Sequence, residues 1–222
     1  MKKLTSILMV CTIAVGAFAS CGDNDSKEKK SKVPDISGKW EMDDMGSYDV
    51  DGGGLIFTED GKGSMYVDVS SLLYMEEDGL NIGGMVLEKE YITYDGLNFS
   101  VNMNDMDMLT MKKTEQTDAD VYDGQYDLVS GLLTDSLMES LTENLSKDKA
   151  DIDLDLVLDG QTSTVILNNV LTYTIDSKNI TLDGYAELVG EESTDNSFEY
   201  TLDGDTLTIK NDDETLELHK AE

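Results

Sequence analysis

The sequence contains very little of several residue types that common functional sites require. Its 222 residues include two cysteines, one proline, one tryptophan and one histidine. All 16 basic residues are lysine, and they stand against 47 acidic residues, which gives a formal net charge of -31. Because so acidic a surface repels nucleic-acid phosphates and anionic lipid headgroups, the composition excludes both as partners.

The scarcity of histidine and cysteine also restricts catalysis. His219 is the sole imidazole and lies close to the end of the sequence, and the serines have no histidine near them in the chain. A Ser-His-Asp relay needs these groups within hydrogen-bond reach of each other. Cys11 and Cys21 both fall in the first 21 residues, so the remaining chain has no disulfide and no thiolate metal site. We predict that the protein is not an enzyme and uses no cofactor.

Two kinds of metal site can be tested against residue spacing. Aspartates cluster at Asp43, Asp44, Asp49 and Asp51 and again at Asp151, Asp153 and Asp155. Neither group has the central glycine and terminal glutamate of a calcium loop, and the second group alternates with apolar residues, which is typical of the solvated face of a strand. Met103, Met106, Met108 and Met111 offer soft ligands for Cu(I), but strand alternation places them on opposite faces. We predict no metal site.

The first 21 residues have the layout of a bacterial lipoprotein signal. Lys2 and Lys3 precede an apolar run from about Leu4 to Phe18, and small residues then lead to Cys21. The run is shorter than the roughly 20 residues that span a bilayer, which disfavours the alternative of an uncleaved anchor. We predict a signal peptide over residues 1–20, lipidation of Cys21, and a lipid-anchored, extracytoplasmic location at the bacterial cell envelope.

The next segment, residues 21–34, is polar and ends at the only proline, Pro34. Such a segment cannot bury enough apolar surface to fold, so it predicts a disordered tether that holds the folded body near the membrane.

The remaining chain contains two related halves, over residues 35–115 and 120–222. Four blocks recur in the same order, which is the pattern of a tandem repeat. Trp40 corresponds to Tyr126, Phe57 to Leu156, and Lys113 to Lys220. The third block aligns Tyr94-Asp95-Gly96 with Leu202-Asp203-Gly204.

Each half has the pattern of an antiparallel meander. Apolar and polar residues alternate over 152–156, 206–209 and 215–218, and Asp-Gly pairs of the kind found in hairpin turns separate such runs. Leu133, Leu137, Leu141 and Leu145 recur every fourth residue, which predicts one amphipathic helix from Thr134 to Lys147, capped by Thr134. The predicted fold is all-β, with two tandem small meander β-barrels and this helix inserted in the second.

The opening Ile36-Ser37-Gly38-Lys39-Trp40 resembles the Gly-x-Trp start of lipocalins, and especially the lipocalin-like domains of bacterial lipoproteins. The segments 57–61 and 200–209 look like the same group. The resemblance implies that the tryptophan packs at the closed end of a barrel beneath a cation, and with no arginine present only Lys113 or Lys220 could supply it.

This family likeness implies a small apolar ligand inside a barrel. The aromatic and methionine content of the first half predicts the lining Trp40, Phe57, Met65, Tyr74, Tyr91 and Phe99. Eight short strands can also be filled by their own side chains, which leaves a structural or protein-interaction lipoprotein without ligand as the alternative. A third interpretation is that both halves together build one larger barrel.

Overall fold

The computed structural model describes residues 33–42, 51–116, 122–145, 148–185, 196–210 and 215–221. The predicted signal peptide, Cys21 and most of the predicted tether lie outside these ranges. Within them the chain consists mainly of β-strands with one α-helix, which confirms the all-β prediction. No helix of the described ranges is long and apolar enough to cross a membrane.

The strands follow one another in short meanders. The first eight are β1 Gly38–Met42, β2 Gly52–Phe57, β3 Lys62–Asp68, β4 Leu73–Glu76, β5 Gly79–Ile82, β6 Met85–Glu88, β7 Ile92–Tyr94 and β8 Asn98–Met103. The next are β9 Met106–Gln116, β10 Gly124–Ser130, β11 Asp153–Asp159 and β12 Thr162–Ile175, with helix α1 Leu132–Leu145 between β10 and β11. The last four are β13 Asn179–Asp183, β14 Ser197–Asp203, β15 Thr206–Lys210 and β16 Thr215–Lys220. Single 3₁₀ turns occupy Lys89–Tyr91 and Lys149–Asp151.

Local sequence explains these strands. The predicted alternating runs form β11, β15 and β16, and in β15 the apolar Leu207 and Ile209 are the buried residues. Gly160 and Gly204 stand at the hairpin turns with φ of 60° and 61°. These are left-handed conformations that glycine adopts without the steric cost that a Cβ brings, so the turns hold their strands in register.

Thirteen strands form one antiparallel sheet in the order β13-β14-β15-β16-β1-β2-β3-β12-β11-β10-β9-β8-β7. In addition, β13 pairs with the second half of β12, from Thr172↔Asp183 to Ile175↔Ile180. The pairings of β12, β13, β14, β15, β16, β1, β2 and β3 therefore return to their starting strand and form a closed ring of eight. The other five strands, β11 to β7, extend from the first half of β12 as a side branch.

Strand pairing crosses the predicted boundary between the two halves of the chain. The strand β1 pairs with β16, β3 with β12, and β9 with β10. The closed ring takes three strands from residues 35–115 and five from residues 120–222. The pairings thus differ from the prediction of a separate meander barrel for each half, because β1 and β3 pair with strands from the second half of the chain.

The helix α1 begins at Leu132, two residues before the predicted start. Thr134 was predicted as the cap, but it lies in the first turn, where its hydroxyl donates to the carbonyl of Ser130 at 3.1 Å. The prediction of an apolar helix face is correct at Met138 and Leu141, whose side chains are buried against apolar residues of the sheet. The strands β4, β5 and β6 form a separate small sheet.

Two apolar clusters pack against the long sheet. The first consists mainly of residues from the ring strands, among them Trp40, Phe57, Leu182 and Leu207, with Met138 and Leu141 of α1. The second lies against the side branch, where Leu80 and Leu87 of the small sheet cover Phe99 and Met111. Leu128 and Val165 contact both clusters, so one face of the sheet carries a continuous apolar layer.

Candidate functional site

Trp40 of β1 is the largest buried side chain of the ring strands. Its side chain is 1% exposed, and its indole N–H donates to the carbonyl of Ile36 at 2.8 Å. The ammonium of Lys220 lies 5.8 Å from the ring centroid, and Trp40 and Lys220 are directly paired across β1 and β16. A cation over an indole face is attracted by the ring quadrupole, so Lys220 occupies the position predicted for the missing arginine.

Tyr126 occupies the corresponding place in the side branch. It is fully buried, its hydroxyl donates to the carbonyl of Tyr122, and it pairs across β10 and β9 with Lys113. The Lys113 ammonium lies 5.2 Å from the centroids of both Tyr126 and Tyr94 and donates to the carbonyl of Asp123 at 2.7 Å. Burial, with the neighbouring Tyr94 and Asp123, raises the pKa of Tyr126, so its hydroxyl stays neutral and acts as a donor. The Lys113 ammonium thus makes cation-π contacts with two aromatic rings of the same chain.

The strand pairing beside Trp40 is similar to that beside Tyr126, in a register that differs by two residues from the sequence alignment. Phe57 pairs with Gly38, and Leu158 pairs with Gly124, so Phe57 corresponds to Leu158 instead of the predicted Leu156. The difference arises at the hairpin, because four residues separate β2 from β3 and two separate β11 from β12.

The six predicted ligand residues do not lie together in one cluster. Trp40, Phe57 and Met65 belong to the first cluster, whereas Phe99 belongs to the second. The other two lie elsewhere: Tyr74 is half-buried on β4, and Tyr91 is 37% exposed in a 3₁₀ turn. The structure therefore brings three of the six residues together and separates the rest.

The apolar side chains of the ring strands are buried against one another. Leu55, Phe57 and Trp40 are each 1% exposed, and Leu182, Leu207 and Leu218 are fully buried. Phe57 also packs edge-on against Tyr173, with ring centroids 5.0 Å apart. Protein interiors pack as densely as organic crystals, so these positions are the packed core of the ring.

A cleft of about 580 Å³ lies outside this core, where residue 33 enters the folded body. Its lining includes Val33, Pro34, Ile175 and Tyr173, together with the carboxylates Asp35, Glu59 and Asp60. The hydroxyl of Tyr173 donates to the carbonyl of Thr58 at 2.8 Å. Burial, with the negative charges of the three carboxylates, raises the pKa of Tyr173. The cleft is an acidic surface feature that disfavours anions.

The most unusual polar group on the outer face of the sheet is Asp155. It is 6% exposed, and its Oδ2 accepts hydrogen bonds from Gln125 Nε2 at 2.7 Å and Asn168 Nδ2 at 2.6 Å. Asp127 is its direct cross-strand partner. Burial raises the pKa of Asp155, and the adjacent carboxyls of Asp127 and Asp153 raise it further against the two amide donors. The prediction that this aspartate is solvated is wrong, because the flanking amides cover it.

We expect Asp155→Asn to stabilise the protein at pH 7 by up to about 1 kcal/mol, since asparagine still accepts both amide hydrogen bonds and carries no charge. A raised pKa means that the folded state holds the proton more tightly than the unfolded state. Stability from this group is therefore complete below the ordinary carboxyl pKa and falls as pH rises through the folded value. Urea unfolding of the parent and of Asp155→Asn at pH 3, 5 and 7 measures the difference in stability.

The parent and Asp155→Asn should have the same free energy of unfolding at pH 3, and the difference should grow toward pH 7. The exposed Asp153 on the same strand supplies the matched control, because Asp153→Asn should change stability by less than about 0.5 kcal/mol. A variant at Asp155 that is less stable than the parent at pH 7 contradicts the assignment.

Among the described residues, no three His, Cys, Asp or Glu side chains are placed to hold a metal ion. Comparisons with protein-family models, curated proteins and solved structures found no match to this chain.

Proposed function

We propose that this protein is a lipid-anchored protein of the bacterial envelope that acts through its outer surface on a protein partner, with an interior filled by its own side chains. This is the alternative that the sequence left open beside a carrier of a small apolar ligand. The location rests on the signal layout that ends at Cys21.

The closed pairing of eight strands supports a small β-barrel for the ring. Eight strands enclose a space that side chains can just fill, or that can hold one small ligand. In this protein the inward positions carry large side chains, among them Trp40, Phe57 and Leu207. The near-zero exposure of these residues is the observation that carries the proposal, because a ligand would have to displace them.

We expect the purified protein to carry no bound small molecule. Native mass spectrometry should give the mass of the processed chain with its lipid, and organic extraction should release nothing further in stoichiometric amount. Ligand-observed NMR with benzene provides a second readout, and the parent protein should not bind it. A stoichiometric adduct that organic solvent releases would contradict the filled interior.

The matched control is Leu207→Ala, which removes a fully buried side chain and should leave a dry apolar cavity. We expect this variant to bind benzene, which shows that the measurement can detect a site in the ring. Benzene binding of equal strength by the parent would mean that the ring already holds a cavity.

The anchor gives a separate expectation. Cys21→Ser should abolish incorporation of radiolabelled palmitate and move the protein from the membrane fraction to the soluble fraction, because the sulfur that carries the lipid is lost. Cys11→Ser keeps that sulfur and should retain the label. Labelling that persists in Cys21→Ser would exclude the proposed anchoring.

A further inference from the structure

Four large apolar side chains lie exposed around the start of α1. They are Met106, Val129, Leu132 and Leu133, which are 46%, 58%, 52% and 36% exposed. They come from the first residue of β9, the end of β10 and the first residues of the helix. We call these four residues the hairpin-helix patch.

Three contacts place β9, the end of β10 and the start of α1 next to one another. The Ser130 hydroxyl donates to Asp107 Oδ2 at 2.7 Å, which ties the end of β10 to the residue after Met106. A Cβ built on Gly131 would lie 2.7 Å from the carbonyl oxygen of Met108, so the chain crosses β9 in close contact. Ser130 also pairs with Thr110. Val129 and Leu132 therefore flank Ser130 and Gly131, two residues that contact β9.

Carboxylates surround the hairpin-helix patch. Asp105, Asp127, Asp135 and Glu139 are exposed near it, and Asp107 is half-buried. Among the described residues, Lys112 lies across from Asp127 and Lys149 pairs with Asp135 at 2.9 Å, so carboxylates outnumber ammonium groups there. Asp135 also stands in the first turn of α1, where it offsets the positive end of the helix dipole.

We infer that the hairpin-helix patch binds an amphipathic segment of a partner protein in which lysine or arginine flanks apolar side chains. This inference rests on the proposed function and names the surface and the partner chemistry. Interfaces combine an apolar centre with a polar rim of complementary charge, and an acidic rim selects a basic partner. A second copy of this chain brings another net charge of -31, so repulsion opposes self-association through the same patch.

The test uses the full chain, made by cell-free synthesis so that no lipid is attached, and three designed 18-residue peptides. The first is a leucine-lysine amphipathic helix, the second replaces lysine by glutamate, and the third replaces leucine by serine. Fluorescence anisotropy should show binding of the leucine-lysine peptide at least about tenfold tighter than binding of either other peptide.

The variant Val129→Ser, Leu132→Ser, Leu133→Ser should weaken this binding at least about tenfold. The control variant Met85→Ser, Val86→Ser, Leu97→Ser removes three side chains of comparable exposure, at 61%, 41% and 47%, from outside the patch. It should bind within about twofold of the parent. Circular dichroism and urea unfolding establish that both variants are folded.

Equal loss of binding in both variants would overturn the inference, and so would equal binding of the serine-lysine peptide, which shows attraction by charge alone. A dimer of the parent chain that the patch variant dissociates would assign the surface to self-association instead. The native mass measurement tests the filled interior separately, so failure of the patch inference can be told apart from failure of the proposed function.

Discussion

Replacing Gly54 by alanine is expected to open the closed ring and lower the free energy of unfolding by more than about 3 kcal/mol. A Cβ at this position would lie 1.9 Å from the carbonyl oxygen of Trp40 and 3.0 Å from the Cα of Glu41. Both are backbone atoms of β1, which is held by β2 on one side and β16 on the other. Because the backbone cannot yield without breaking this pairing, the strand must shift. Urea unfolding followed by circular dichroism measures the loss.

Gly52 provides the matched control within the same strand. A Cβ built there meets no atom within 4 Å. Alanine restricts the unfolded chain more than glycine does, so Gly52→Ala should leave stability unchanged or raise it by up to about 1 kcal/mol. If the two variants unfold at the same urea concentration, the close approach of β1 and β2 at Gly54 is not rigid.

The local parts of this fold follow from sequence. Period-two alternation identifies β11, β15 and β16, because in each the apolar parity faces a core. Asp-Gly pairs mark the turns at Gly160 and Gly204. The helix was also predictable from its leucine spacing. Its start was misplaced because Thr134 has the chemistry of a cap but uses its hydroxyl inside the first turn.

The sheet order does not follow from local sequence. An alternating strand specifies which face is buried, but it does not specify which neighbour it pairs with. The pairings of Trp40 with Lys220 and of Met65 with Leu167 join residues that are more than 100 positions apart in sequence. These long-range pairings depend on how whole strands pack, so strands of both halves share one sheet in place of the two separate barrels that the sequence predicted.

The contacts between lysine and aromatic rings were predictable in part. A cation above an aromatic ring was expected from the opening motif, and the absence of arginine left Lys113 and Lys220 as the candidates. The proposed ligand lining was chosen by residue type alone. Type does not separate Phe99, which is fully buried in the second cluster, from Tyr91, which is exposed. Burial of Asp155 depends on amides from β10 and β12 that only the fold brings together.

Trp40→Ala should lower the free energy of unfolding by about 3 to 5 kcal/mol. The substitution empties the largest buried position of the ring, and it removes the indole donor of the Ile36 carbonyl. Trp40→Phe keeps most of the apolar volume but loses that donor, so about 1 to 3 kcal/mol is expected. Urea unfolding followed by circular dichroism is the appropriate measurement, because Trp40 is the only tryptophan and its fluorescence disappears with it.

Tyr91→Ala is the control for loss of an aromatic side chain, and since Tyr91 is 37% exposed it should cost less than about 1 kcal/mol. The ranking of these variants also bears on the function. A tryptophan that lines an empty ligand cavity leaves its neighbours room to relax, and its removal then costs little beyond the transfer term. A cost near the upper end for Trp40→Ala, with no benzene bound by the parent, indicates that the residue is part of a filled core. If Trp40→Ala costs no more than Tyr91→Ala, the ring is not closed by this side chain and the carrier hypothesis regains its site.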